Sequence, residues 1–170
     1  MYRVIGYHAT SLLASVEIER FGFLPHKIFG KAVHDQVIAV AHRLNLPTYY
    51  YTEWLGMRSV SFGKILDHAI VHASQGNAGG QGLMNVERLL ESINAHGTDA
   101  DRVVASGFAG QIQAIRTSTP VIYAVDLSNL GPRLVDDAST GYYQMFWNPS
   151  APLPAMSEIG PERLIARFSL

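Results

Sequence analysis

The first apolar run, YRVIGYH at residues 2 to 8, mixes aromatic and β-branched side chains and predicts a strand. A helix is expected from about Leu12 to Phe21, capped by Thr10 or Ser11, with Leu12, Leu13 and Val16 on one face. Gly22 ends it, and Phe23 packs behind. Val33, Val37, Val40, Ala41 and Leu44 recur at i, i+4, i+7, i+8 and i+11, the best periodic signal in the chain, and Pro47 stops that second helix.

PTYYYTEWLGM, residues 47 to 57, is aromatic and irregular, which fits a surface loop or edge. A short strand over Arg58 to Phe62 then leads into a helix on KILDHAIVHAS, whose apolar face is Ile65, Leu66, Ala69, Ile70 and Ala73. The four glycines of SQGNAGGQG, residues 74 to 82, make a flexible loop there the expectation. Two more helices follow, about residues 84 to 95 and 100 to 116, the second capped by Asp99. Beyond Pro120 the pattern turns to period two: Val121, Tyr123, Val125 and Leu127 share one strand face, and YYQMFW and RLIARFSL are further strands. Strand and helices first, then a run of strands, is the order of an α+β domain rather than a doubly wound sheet.

At 170 residues one domain over 1–170 is expected, large enough to hold a core without covalent staples. Hydrophobic residues at 48%, charged residues at 16% and a formal charge of −1 describe an ordinary globular chain and give no sign of a basic, nucleic-acid-seeking surface. With no cysteine, a thiol nucleophile, a Cys-ligated metal and a disulfide framework are excluded. The opening MYRVIGYHATSLL lacks a continuous apolar core and a small-residue cleavage pattern, and no apolar run approaches the ~18 residues of a membrane helix. The expected location is a cytosol, the chain's own or one reached by delivery without a cleaved signal peptide, with no membrane partner.

His68 and His72 have the i, i+4 spacing of helical zinc ligands, but Ala69 stands where the metalloprotease motif has Glu; a half-exposed helix face is the better reading, and no metal is expected. SQGNAGGQG matches neither the P-loop nor the dinucleotide fingerprint, and no nucleophile-elbow motif is present. Tyr49, Tyr50 and Tyr51 with Trp54 suit either stacking on a base or nicotinamide ring or simple edge packing. Alone, His8 at a strand-to-helix junction and Glu158 near a strand start read as structural and solvated.

Three separated stretches change that weighting. "YHATS" followed by "VEIERFGFLP" resembles the opening of ADP-ribosyltransferase-fold proteins, where Tyr-His-Gly-Thr-Ser leads into a helix ending in Gly-Phe. "RSVSFGKILDHAIVHA" resembles the family's middle strand and helix, and "TPVIYAVDLSNL" with "SEIGPERLIA" resembles its closing strands. Order and spacing agree over most of the chain, with residues 75 to 118 as a helical insertion. The fold so implied is a split β-sheet core with flanking helices.

The resemblance also implies roles. NAD would be the co-substrate; His8 would hydrogen-bond its adenosine ribose, the main chain of Ala9 would face the nicotinamide amide, and Thr10 would support the ribose region. Glu158 would be the catalytic glutamate. Ser61 stands where the family has a tyrosine stacked on nicotinamide, so either Phe62 or the Tyr49 to Tyr51 loop, with Tyr50 at its centre, supplies that ring or NAD is bound in an altered way. Met156 stands two residues before Glu158, where arginine-modifying subfamilies carry Glu or Gln, which makes arginine a poorer acceptor. The function implied is mono-ADP-ribosyl transfer to a protein or nucleic acid, in a setting that fits a bacterial toxin or effector and allows an immunity protein as partner. The alternatives are an NAD glycohydrolase and a non-catalytic binding module of the same fold.

Overall fold

A computed structural model describes residues 3–24, 31–46, 59–74, 80–147 and 154–170, with backbone only for 31–34 and 80–85. Its elements run β1 (Ile5–Ser11), α1 (Leu12–Phe21), α2 (Lys31–Arg43), β2 (Ser59–Gly63), α3 (Leu66–Ser74), α4 (Gly80–His96), α5 (Asp99–Thr117), β3 (Pro120–Asp126), β4 (Leu134–Asp137), β5 (Tyr142–Phe146) and β6 (Leu164–Ser169). Short 3-10 turns at Gly131–Arg133 and Pro161–Arg163 precede β4 and β6. The six strands form one antiparallel sheet in the order β4-β5-β2-β1-β3-β6, so the chain is mixed α and β as the sequence implies. Among the described residues no helix is long and apolar enough to cross a membrane.

The sheet is close to two half-sheets. β1 pairs with β3 continuously from Ile5 opposite Asp126 to Ser11 opposite Pro120, and β2 pairs with β5 along its whole length. Between β1 and β2 the register holds a single pair, Tyr7 opposite Gly63.

Three apolar clusters result. One face of the sheet carries Phe62, Val121, Tyr123, Val125 and Met145, covered by Ile18 of α1 and by Phe23, Trp147 and Ile159. On the other face Ala69 and Ala73 of α3 pack on Ile122, with Tyr7 and Ala9 beside them. The third cluster is wholly helical: Val37 and Ala41 of α2 meet Leu89, Leu90 and Ile93 of α4 and Ala105, Phe108 and Ile112 of α5. The helices of the expected insertion therefore share a core with the strongly periodic α2.

Several expected details are corrected. β1 begins and ends three residues later than the residue pattern implies, because its extent is set by pairing with β3; His8 is mid-strand. α1 is capped by Ser11, whose side chain accepts from the Ala14 N–H, and it buries Ala14, Ser15 and Ile18. Leu12, Leu13 and Val16 face outward instead, at 42%, 55% and 61% exposure. The misleading signal is Ser15: its hydroxyl donates to the Leu12 carbonyl at 2.7 Å, so its polarity is satisfied within the helix and the small side chain goes inside. Ile65 precedes α3 and is exposed. α4 starts inside the glycine-rich stretch, at Gly80, while residues 75–79 lie outside the described residues. α5 is capped by Thr98, not Asp99: Thr98 and Asp101 satisfy each other's backbone in a capping box. Asp101 also pairs with Arg43 of α2, and these bonds, led by those from Thr98, hold its carboxyl below the usual carboxylate range.

Candidate active site

The site is built where β1 and β2 part. In an antiparallel strand, alternate residues direct both main-chain polar groups to the same neighbour. The Leu12 N–H donates to the Thr119 carbonyl and the Leu127 N–H to the Val4 carbonyl, so even-numbered residues along β1 face β3. Odd-numbered ones, Tyr7 and Ala9 among them, face β2. Tyr7 meets Gly63 there, and two residues on the register has stopped, which leaves the main chain of Ala9 directed at the widening side.

His8 sits on that boundary. Its Nδ1 lies 2.9 Å from the main-chain oxygen of Ser61 on β2. A carbonyl only accepts, so Nδ1 carries the proton and Nε2 keeps its lone pair. The imidazole meets Phe23 edge-on at 5.0 Å between centroids and Phe62 at 5.6 Å, and these two phenyl rings meet each other at 5.1 Å. Enclosure pushes the His8 pKa down to about 4; the bond to Ser61 opposes the shift and the charge of His72 adds to it. At neutral pH His8 is therefore an uncharged imidazole of defined tautomer.

Behind the rings stands Tyr123, opposite His8 in the β1–β3 register and buried. Its hydroxyl donates to Glu19 at 2.6 Å, and Glu19 also takes a bond from Arg167 at 2.9 Å. Burial first, then the hydrogen bond to Glu19, pushes the Tyr123 hydroxyl up to about 12.

The segment of Glu158 is tied to the end of α1, next to Phe23, through main-chain contacts. Gly22 turns the chain at the end of α1 with φ of 75° and ψ of −168°, a region open essentially to glycine alone. Just beyond, the Phe23 N–H donates to the Ile159 carbonyl at 3.0 Å, and the Ser157 N–H donates to the Phe21 carbonyl at 2.8 Å. Ser157 and Ile159 are buried, and the Ser157 hydroxyl accepts from the Ile159 N–H at 3.0 Å. Glu158, between two inward residues, therefore points outward, its side chain 46% exposed and ion-paired with Arg133. It does not open a strand: the turn Pro161–Arg163 intervenes before β6 begins at Leu164.

The other expected site residues fall as follows. Thr10 is buried, beside Val121 in register, and Ala9 packs toward α3. Phe62 is fully buried and its ring lies against His8 and Phe23, so it walls the histidine rather than offering a face to a ligand. Ser61 contributes its carbonyl to the histidine, and its side chain is exposed. Tyr49, Tyr50, Tyr51 and Trp54 lie outside the described residues. His68 and His72 have separate roles: His68 stacks on Tyr142 with its Nδ1 3.3 Å from the Gly141 carbonyl, while His72 acts electrostatically on His8. Among the described residues no group of three or more His, Asp or Glu side chains is arranged to hold a metal ion.

Arg133, Glu19 and Tyr123 were not legible as site neighbours from the sequence. Arg133 comes close to Glu158 only through the turn between β3 and β4, and no spacing in the chain announces it.

No protein-family model, curated protein or solved structure matches this chain.

Proposed function

We propose that the chain is an NAD-dependent mono-ADP-ribosyltransferase, which breaks the nicotinamide–ribose bond of NAD and passes ADP-ribose to a macromolecular acceptor. The observation that carries this reading is the parting of β1 and β2 directly after Tyr7 and Gly63, with neutral His8 tied to Ser61 at its edge and the main chain of Ala9 turned to the same side. A nicotinamide amide needs one donor and one acceptor, and a strand edge released from pairing offers both. The Nε2 of His8 is an acceptor suited to a ribose hydroxyl, and its depressed pKa keeps it uncharged at neutral pH.

In the proposed reaction the bond between C1′ and the nicotinamide nitrogen breaks, and its electron pair leaves with nicotinamide, neutralising the ring. Positive charge develops on the ribose. Glu158 stabilises that charge as a carboxylate and accepts the proton of the attacking hydroxyl or amine as the new bond to C1′ forms. The ring that stacks on nicotinamide comes from neither Ser61 nor buried Phe62 in this scheme.

The test is incubation of the pure protein with NAD and a cell lysate, following nicotinamide release and ADP-ribose adducts on protein and nucleic acid by mass spectrometry. Release with transfer is the expected result. Release without transfer indicates an NAD glycohydrolase, and no release indicates a binding module. Glu158→Gln is expected to lower nicotinamide release at least about a hundredfold; full activity in that variant overturns the assignment of Glu158.

A further inference from the structure

We propose that Arg133 alternates between two anions, the Glu158 carboxylate and the pyrophosphate of NAD, so that binding the dinucleotide releases the carboxylate to act at C1′. This rests on the transferase reading above. A guanidinium beside a carboxylate cancels much of its field at a developing cation, so Glu158 stabilises an oxocarbenium-like centre only when Arg133 is turned away. The exchange is inexpensive, because both side chains are about half exposed and a solvent-exposed ion pair contributes little.

The backbones on either side are held by bonds that do not involve Arg133. Arg163, beyond Glu158, donates from Nη1 to the Asp126 carbonyl at 3.1 Å and the Ser128 carbonyl at 2.9 Å. Ser128 in turn accepts from the Val4 N–H at 3.0 Å through its hydroxyl, and Leu127 and Leu130 are buried in the sheet core. Arg163 thus ties the turn that follows Glu158 to the chain leaving β3 ahead of Arg133, by bonds in which Arg133 takes no part. What remains free to swing is a long side chain ending in a planar fork, the geometry that binds phosphate oxygens in pairs. A pyrophosphate offers more charge and more acceptors than one carboxylate, so it wins the guanidinium when bound.

The experiment measures NAD binding by calorimetry at several salt concentrations, with steady-state nicotinamide release, for wild type, Arg133→Gln, Arg133→Lys, Glu158→Gln and the Arg133→Gln/Glu158→Gln double variant. Arg133→Gln is expected to weaken NAD binding about tenfold and flatten its salt dependence, while kcat at saturating NAD does not fall. Arg133→Lys is expected to recover part of the affinity, and Glu158→Gln to bind NAD about threefold more tightly, a gain absent in the double variant. Inorganic pyrophosphate, as a competitor, is expected to bind wild type more tightly than Arg133→Gln.

Equal NAD affinity and equal salt dependence in wild type and Arg133→Gln overturn the proposal, as does a fall in kcat with affinity unchanged. If Arg133→Gln loses its near-ultraviolet circular dichroism, Arg133→Lys and Glu158→Gln carry the same comparison. Failure of the transferase reading shows separately, as an absence of NAD binding and nicotinamide release in wild type.

Discussion

Gly22 and Ile159 meet backbone against backbone: a Cβ placed on Gly22 would lie 2.3 Å from the Ile159 carbonyl oxygen. The neighbouring Phe23 N–H bonds that same oxygen, and together with the Ser157 N–H to the Phe21 carbonyl it holds the helix end against the Glu158 segment. Gly22→Ala is expected to destabilise the protein by about 2 kcal/mol, from backbone strain and the forced separation of the two segments. Urea unfolding measures the loss, and nicotinamide release should fall further than stability alone accounts for, because Glu158 shifts with Ile159.

The enclosed imidazole of His8 makes stability depend on pH in a defined window. Its folded pKa is about 4 against an ordinary 6.5, so between these values the unfolded chain binds the extra proton. Stability from this group is complete above pH 6.5 and is lost progressively as pH falls toward 4. Melting temperature should decline across that interval in wild type and decline less in His8→Gln. Asp101, Asp126 and Asp137, whose carboxyls their hydrogen bonds hold below the usual carboxylate range, add their own losses only at lower pH.

Trp147 is buried in the sheet core, and its indole N–H has no hydrogen-bond partner among the described residues. An unsatisfied buried donor costs about 1–3 kcal/mol, so removing it offsets much of the lost packing. Trp147→Phe should change stability by less than about 1 kcal/mol, whereas Trp147→Ala should cost about 3–5 kcal/mol. Paired urea titrations distinguish this from an ordinary core tryptophan, for which the phenylalanine variant is clearly weaker.

Thr98 caps α5, whose buried apolar residues lie in the helical cluster, and that cluster shares no residue with the one holding Phe23 and Phe62 beside His8. Thr98→Ala should lose about 1 kcal/mol of stability and leave the Kd for NAD unchanged within twofold. A change in NAD affinity in this variant would couple the helical cluster to the site and contradict the separation of the two cores.

What was legible in the sequence were features with local causes. The period of Val37, Val40, Ala41 and Leu44 gave α2 its buried side, and the alternation of Val121, Tyr123, Val125 and Leu127 gave β3 its core face. Gly22 and Phe23 declared the end of α1. Leu12, Leu13 and Val16 misled because side-chain polarity cannot reveal that Ser15 bonds its own helix. β4 was missed because Leu134–Asp137 is short, acidic and at the sheet edge, where alternation does not decide the strand. Of the site, His8 and Glu158 were singled out only together with a family pattern, while the Ser61 carbonyl and Arg133 depend on register and on a turn, neither of which has a sequence period.

The main-chain bonds from Phe23 to Ile159 and from Ser157 to Phe21 also join parts of the chain that are far apart in sequence. The elements from α2 to β5 all lie between Phe23 and Ile159 in the chain, and β6 pairs with β3 beyond Ile159. Contacts of such sequence separation form only at the cost of closing a long loop, so the seat of Glu158 depends on the whole domain having folded rather than on its own segment.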